Sequence, residues 1–112
     1  MGNLANTNAM ITLTIKENDS DHAFIKVEGE FDTAASEYFS QGMNPIMEDA
    51  GKEIILDFSE LSFISSSGLR LLLILNKNVL AQGGKVVING MNKDIRNIFH
   101  LTGFDSMFKI NS

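Results

Sequence analysis

Cysteine is absent from the chain. That absence excludes disulfides, thiolate catalysis and cysteine-based zinc sites. Histidine is scarce, with only His22 and His100, far apart in sequence. A histidine-rich metal centre is therefore not expected, and no metal or other cofactor is assigned. Long apolar runs are missing too. The densest, Leu69 to Leu75, is interrupted by Arg70 and falls far short of the roughly 20 residues that cross a bilayer. Met1 to Met10 is small and polar, without the charged and apolar regions of a signal peptide. No membrane insertion and a cytoplasmic location are expected. Blocks of lysine or arginine are also lacking. Nine basic residues stand against fourteen acidic ones, a net charge of -5. Such a balance disfavours nucleic acid, because phosphate contact needs a basic face.

What is present suits one globular domain. The 112 residues are 44% hydrophobic and 21% charged, and typical domains run roughly 100–150 residues. One core of that size holds without disulfides or metals. Residues 1–10 read as a flexible tail and 11–112 as the domain.

Ile11 to Ile15 alternates as a half-buried strand, and Asn18 to Asp21 supplies turn residues. Ala23 to Val27, running into Glu28-Gly29-Glu30, completes a hairpin. Asp32 or Thr33 can cap a helix carrying Ala34, Tyr38, Met43 and Met47, broken near Pro45 and ended by Gly51 as a left-handed cap. Glu53 to Phe58 is an apolar run expected to be a strand covered on both faces. Ser59 to Ser65 reads as a connection, with Leu61, Phe63 and Ile64 plugging into the core. Ser66 to Gln82 is the strongest helix, closed by Gly83-Gly84. Lys85 to Asn89 is a strand, Lys93 to Leu101 a short helix, and Met107 to Ile110 a final edge strand. The order β-β-α-β-α-β-α-β predicts an α/β fold: one mixed sheet with a mostly parallel core and packed helices.

The chemistry concentrates at Ser65-Ser66-Ser67-Gly68. Serine before a helix caps free amides, which by itself accounts for the triplet. The same place also suits a phosphate, because a helix start carries partial positive charge. Gly68, without a Cβ, offers close approach to a partner. In the following helix, Leu69, Leu72, Leu73 and Leu80 form one core stripe. Leu71 and Leu75 lie off it, in line with Asn78, either as extra burial or as an exposed patch for a partner.

The segment from Ile54 to Leu73 resembles the signature of the STAS domain family: an apolar strand ending in Asp57, then Ser59 and Leu61, then Ser-Ser-Gly-Leu entering a leucine-rich helix. Gly29-Glu30-Phe31-Asp32 is similar to the family's earlier turn, and Leu101 to Phe104 with Phe108 to Ile110 to its ending. The best-known members are bacterial anti-sigma factor antagonists. The resemblance implies partner switching. The unphosphorylated antagonist binds a GHKL-type serine kinase anti-sigma factor, is released when that kinase phosphorylates it, and is reset by a serine phosphatase.

The acceptor maps to Ser66, with Ser65 and Ser67 as alternatives. Asp32, Ser65, Ser66, Ser67, Gly68, Arg70, Leu71 and Leu75 form the expected partner-binding surface. One departure stands out: many members carry aspartate immediately before the acceptor, where this chain has Ser65. Asp32 reads either as a plain cap or as a neighbour of the serine turn, and Asp57 either organises that loop or ends its strand. A monomer or weak dimer is expected.

Catalysis finds little support. No Gly-x-Ser-x-Gly elbow and no GxxxxGK[ST] loop occur. The alternative reading is a stand-alone STAS module of a lipid or anion transport complex, or of a sensory complex.

Overall fold

The computed structural model of the protein describes residues 10–111. The expected flexible tail, apart from Met10, lies outside the described residues. Strands β1 (Ile11–Asn18) and β2 (His22–Phe31) pair antiparallel. Asp19 organises their turn, its carboxylate accepting the amides of Asp21 and His22 at 2.8 and 2.9 Å. This is the local bonding that makes aspartate a turn residue. Strands β3 (Glu53–Ile64), β4 (Lys85–Asn89) and β5 (Lys109–Asn111) follow β2 in parallel. The result is a five-stranded sheet in the order β1-β2-β3-β4-β5. It is the mixed, mostly parallel sheet expected from the alternation of strands and helices.

Helices α1 (Thr33–Gly42), α2 (Asn44–Met47), α3 (Ser66–Ala81) and α4 (Lys93–Thr102) connect the strands, and a 3-10 turn at Phe104–Ser106 precedes β5. The expected helix break near Pro45 separates α1 from α2. Pro45 sits in the first turn of α2, where its missing N–H has no intrahelical acceptor to lose.

Several expectations are corrected. The segment Ser59–Ile64 is not a connection but the second half of β3. Two register shifts against β2 break its period of two, and this hid the strand. Leu61 and Ile64 enter the core, whereas Phe63 is 47% exposed. Burial in β3 alternates: Ile54, Leu56 and Phe58 are buried, with Ile55 and Asp57 only partly so. The strand with three consecutive buried residues is β4, at Val86, Val87 and Ile88. Finally, Gly51 does not take a left-handed cap conformation. It is small because a Cβ there would lie 2.4 Å from the Gln82 carbonyl oxygen.

Helix α3 buries Gly68, Leu72, Leu75, Asn76 and Val79. The expected stripe was Leu69, Leu72, Leu73 and Leu80, so the true core face is rotated by about 75° at about 100° per residue. Leu80 is 55% exposed. The face turned inward because two residues that do not look apolar belong there. Gly68 lets the helix approach Phe31 and Ile64, whose side-chain atoms would meet its Cβ at 2.9 Å. Asn76 is buried with its side-chain amide donating to the Met107 carbonyl at 3.4 Å.

Candidate functional site

Parallel pairing of β2 and β3 brings their C-terminal ends together, with Phe31 opposite Ile64. The chain leaves both strands directly into helices, so α1 and α3 start side by side. The Ser65 amide donates to the Phe31 carbonyl at 2.8 Å, tying the serine turn to the end of β2. Thr33 Oγ1 and Ser67 Oγ approach within 3.4 Å. Beneath them Phe31 packs on Phe39 of α1, with ring centroids 4.6 Å apart.

The three serines occupy different environments. Ser65 is the N-cap of α3, extended at φ -90° and ψ 172°, and its hydroxyl accepts the Gly68 amide at 3.1 Å. Ser67 is half-buried and faces Thr33. Ser66 is exposed, and its hydroxyl has no hydrogen-bond partner among the described residues. The turn is therefore open to an approaching protein.

Asp32 does stand beside the serine turn, but its carboxylate caps α1, accepting the Ala35 amide at 2.9 Å. Asp57 accepts the Ser59 amide at 3.0 Å and shapes the middle of β3 rather than the serine loop. Ser36, Ser66, Ser67, Arg70 and Leu71 line one shallow depression. Through Leu71 it adjoins a groove of about 180 Å³ between α1, α2 and α3, where Phe39, Met43, Met47 and Ile74 meet. Ile74 is 47% exposed.

Two of the expected surface residues belong elsewhere. Leu75 is only 5% exposed and packs in the core, touching the groove as part of its floor. Gly68 is buried, and its missing Cβ serves Phe31 and Ile64 rather than a partner. Leu71 is partly buried against the core and also reaches the groove. Sequence reasoning missed Thr33, Ser36 and Ile74. A signal for Thr33 existed in its place directly after the capping Asp32. Nothing local identified Ser36 or Ile74, whose roles depend on how α1 and α3 pack.

Neither histidine serves the serine turn. His22 pairs in register with Glu53, at the opposite end of the strands. There its ring meets Glu17 at 2.5 Å and Asp19 at 3.5 Å. The neighbouring Glu17 carboxylate, aided by Asp19 and Asp21, raises the pKa of His22 above its ordinary value. Backbone amides of His22 and Asp21 hold that of Asp19 low. His100 bonds to Asp105 at 3.0 Å, beside the 3-10 turn.

Known proteins share this fold. A family model described as the STAS domain matches residues 12–112. An anti-sigma-B factor antagonist of Listeria monocytogenes is 26% identical over 100 residues, covering 89% of this chain and 88% of that protein. The solved anti-sigma factor antagonist SpoIIAA in its unphosphorylated form superposes with a TM-score of 0.74 at 21% identity, covering 90% of this chain and 89% of that one. The Bacillus cell fate determinant SpoIIAA in its phosphorylated form gives a TM-score of 0.69 at 22% identity, covering 90% and 92%.

Proposed function

This chain belongs to the STAS domain family, and from that premise we propose that it is an anti-sigma factor antagonist switched by phosphorylation of Ser66. The observation that carries the reading is the division of labour in the triplet. Ser65 is spent on capping and Ser67 faces Thr33, while Ser66 is exposed with an uncommitted hydroxyl. Similarity to antagonists over nearly the whole chain supports the role. A neighbour of the same fold solved in a phosphorylated form supports the chemistry.

In this reading the unmodified protein acts in the cytoplasm without catalytic activity of its own. It docks a GHKL-type serine kinase anti-sigma factor over the serine turn and the neighbouring groove. The kinase supplies ATP. The Ser66 oxygen attacks the γ-phosphorus, the bond to the bridging oxygen breaks, ADP leaves, and the hydroxyl proton passes to a base on the kinase. The product carries nearly two extra negative charges at neutral pH. Burying that charge in an interface without a partner costs several kcal/mol, so the complex separates. A serine phosphatase then returns the hydroxyl and free phosphate by hydrolysis.

The test is incubation with a candidate kinase and ATP, read by intact mass and mapping of the modified residue. Modification should map to Ser66. Ser66→Ala should bind the kinase and stay unmodified. Ser66→Asp should bind about 100-fold more weakly, ~2.7 kcal/mol. Equal affinities of the two variants, or modification confined to another residue, would refute the switch.

A further inference from the structure

Arg70 has the shape of a group waiting for an anion. It lies four residues after Ser66 on α3, the spacing at which helix side chains meet. Both residues line the same shallow depression, and Arg70 is the one charged residue of that lining. Its guanidinium makes no ion pair or hydrogen bond among the described residues. The ion pairs there join Glu17 and Asp19 to His22, Glu53 to Lys85, and Asp105 to His100. The first turn of α3 contains no acidic residue that would compete for it. The Ser67 hydroxyl stands at the same depression as a further donor, whereas that of Ser36 already donates to the Asp32 carbonyl at 3.2 Å.

We infer that Arg70 is the built-in counter-ion of phosphorylated Ser66, pairing with the phosphate across one helical turn and holding it against α3. The inference rests on Ser66 being the acceptor. Its physical basis is that a guanidinium presents parallel N–H donors that match phosphate oxygens bidentately, which a lysine ammonium does not. The partial positive charge at the start of α3 acts on the same group. The phosphate is thereby kept fully charged near neutral pH and fixed in one place. Arg70 is simultaneously withdrawn from any carboxylate of a partner. One covalent event thus removes an attractive charge from the docking surface as well as adding a repulsive one.

The test does not need the kinase. Phosphoserine is placed at position 66 during translation, in the full chain, with Arg70, Arg70→Lys or Arg70→Gln. The phosphorus resonance is then followed across pH. A free phosphoserine loses its second proton near pH ~6. With Arg70 the midpoint should fall by about half a unit to one unit, as a nearby opposite charge favours the charged form. Arg70→Gln should move it back toward ~6, leaving only the pull of the start of α3, and Arg70→Lys should fall between. Raising salt should shrink the difference. Identical midpoints for Arg70 and Arg70→Gln overturn the inference, as does strict additivity in a thermal-stability cycle of Ser66→Asp with Arg70→Gln. A kinase that modifies a different residue would sink the acceptor assignment yet leave this titration readable. Identical midpoints would leave partner switching standing without the arginine clamp.

Discussion

Three adjacent serines look interchangeable on paper and are not. Ser65 closes the start of α3 through its bond from the Gly68 amide. Replacing it by alanine strands that amide, and loss of an N-cap costs ~1 kcal/mol. Ser65→Ala should therefore lower the melting temperature by about 4 °C in a domain of this size. Ser66→Ala removes a hydroxyl without a bond and should leave melting nearly unchanged. Calorimetry or circular dichroism separates the two, and an equal loss from both would show that Ser66 also carries structure. The same reasoning explains the departure at this position, where many family members have aspartate. Serine and aspartate cap helices about equally well. The exchange preserves the helix start and omits one negative charge next to the acceptor.

On α3, burial and exposure divide the leucines in a way that a stability measurement can read. Leu75 lies in the core, 5% exposed beside Leu72 and Val79. Leu75→Ala should cost about 2–5 kcal/mol through lost burial and the cavity left behind. Leu71 and Ile74 face the methionine-lined groove between the helices, Ile74 with about half of its surface free. Methionines make such a surface adaptable, because their unbranched chains repack around different shapes. Ile74→Lys should change stability by less than about 1 kcal/mol and weaken kinase binding at least tenfold. Unfolding by Ile74→Lys, with binding proportional to the folded fraction, would show that the groove is only part of the core.

At the scale of the whole molecule, the sheet separates two sites. One end joins β2 and β3 to the paired starts of α1 and α3. The other end carries the β1–β2 hairpin, where His22 lies between Glu17 and Asp19 and Lys52 donates to Asn18 and the Asp19 carbonyl. The raised pKa of His22 means that its charged form is favoured by folding, chiefly through Glu17. That stabilisation is fully present below the ordinary histidine value of 6.5, and it disappears as pH rises through the higher folded-state value. His22→Gln should flatten this part of the stability–pH curve and leave kinase affinity unchanged. An effect of His22→Gln on affinity would mean that the two ends communicate. Asp19 acts in the opposite sense. Its lowered pKa gives stability above the ordinary 3.8 that is lost on acidification.

Local patterns determined much of this protein in advance. Alternation at Ile11–Ile15 marked β1, the compact V-V-I run marked β4, Pro45 marked the break between α1 and α2, and the serine triplet marked the start of α3. Each is set by neighbours along the chain: side-chain period, a missing N–H, or a capping hydroxyl. Tertiary structure alone decided the rest. The second half of β3 is a strand because β2 accepts its irregular register. The inward face of α3 is chosen by Gly68 against Phe31 and by Asn76 against Met107. Which serine stays free depends on Thr33, brought alongside from 34 residues away. Such choices follow from contacts between distant segments, and no periodicity within one segment encodes them.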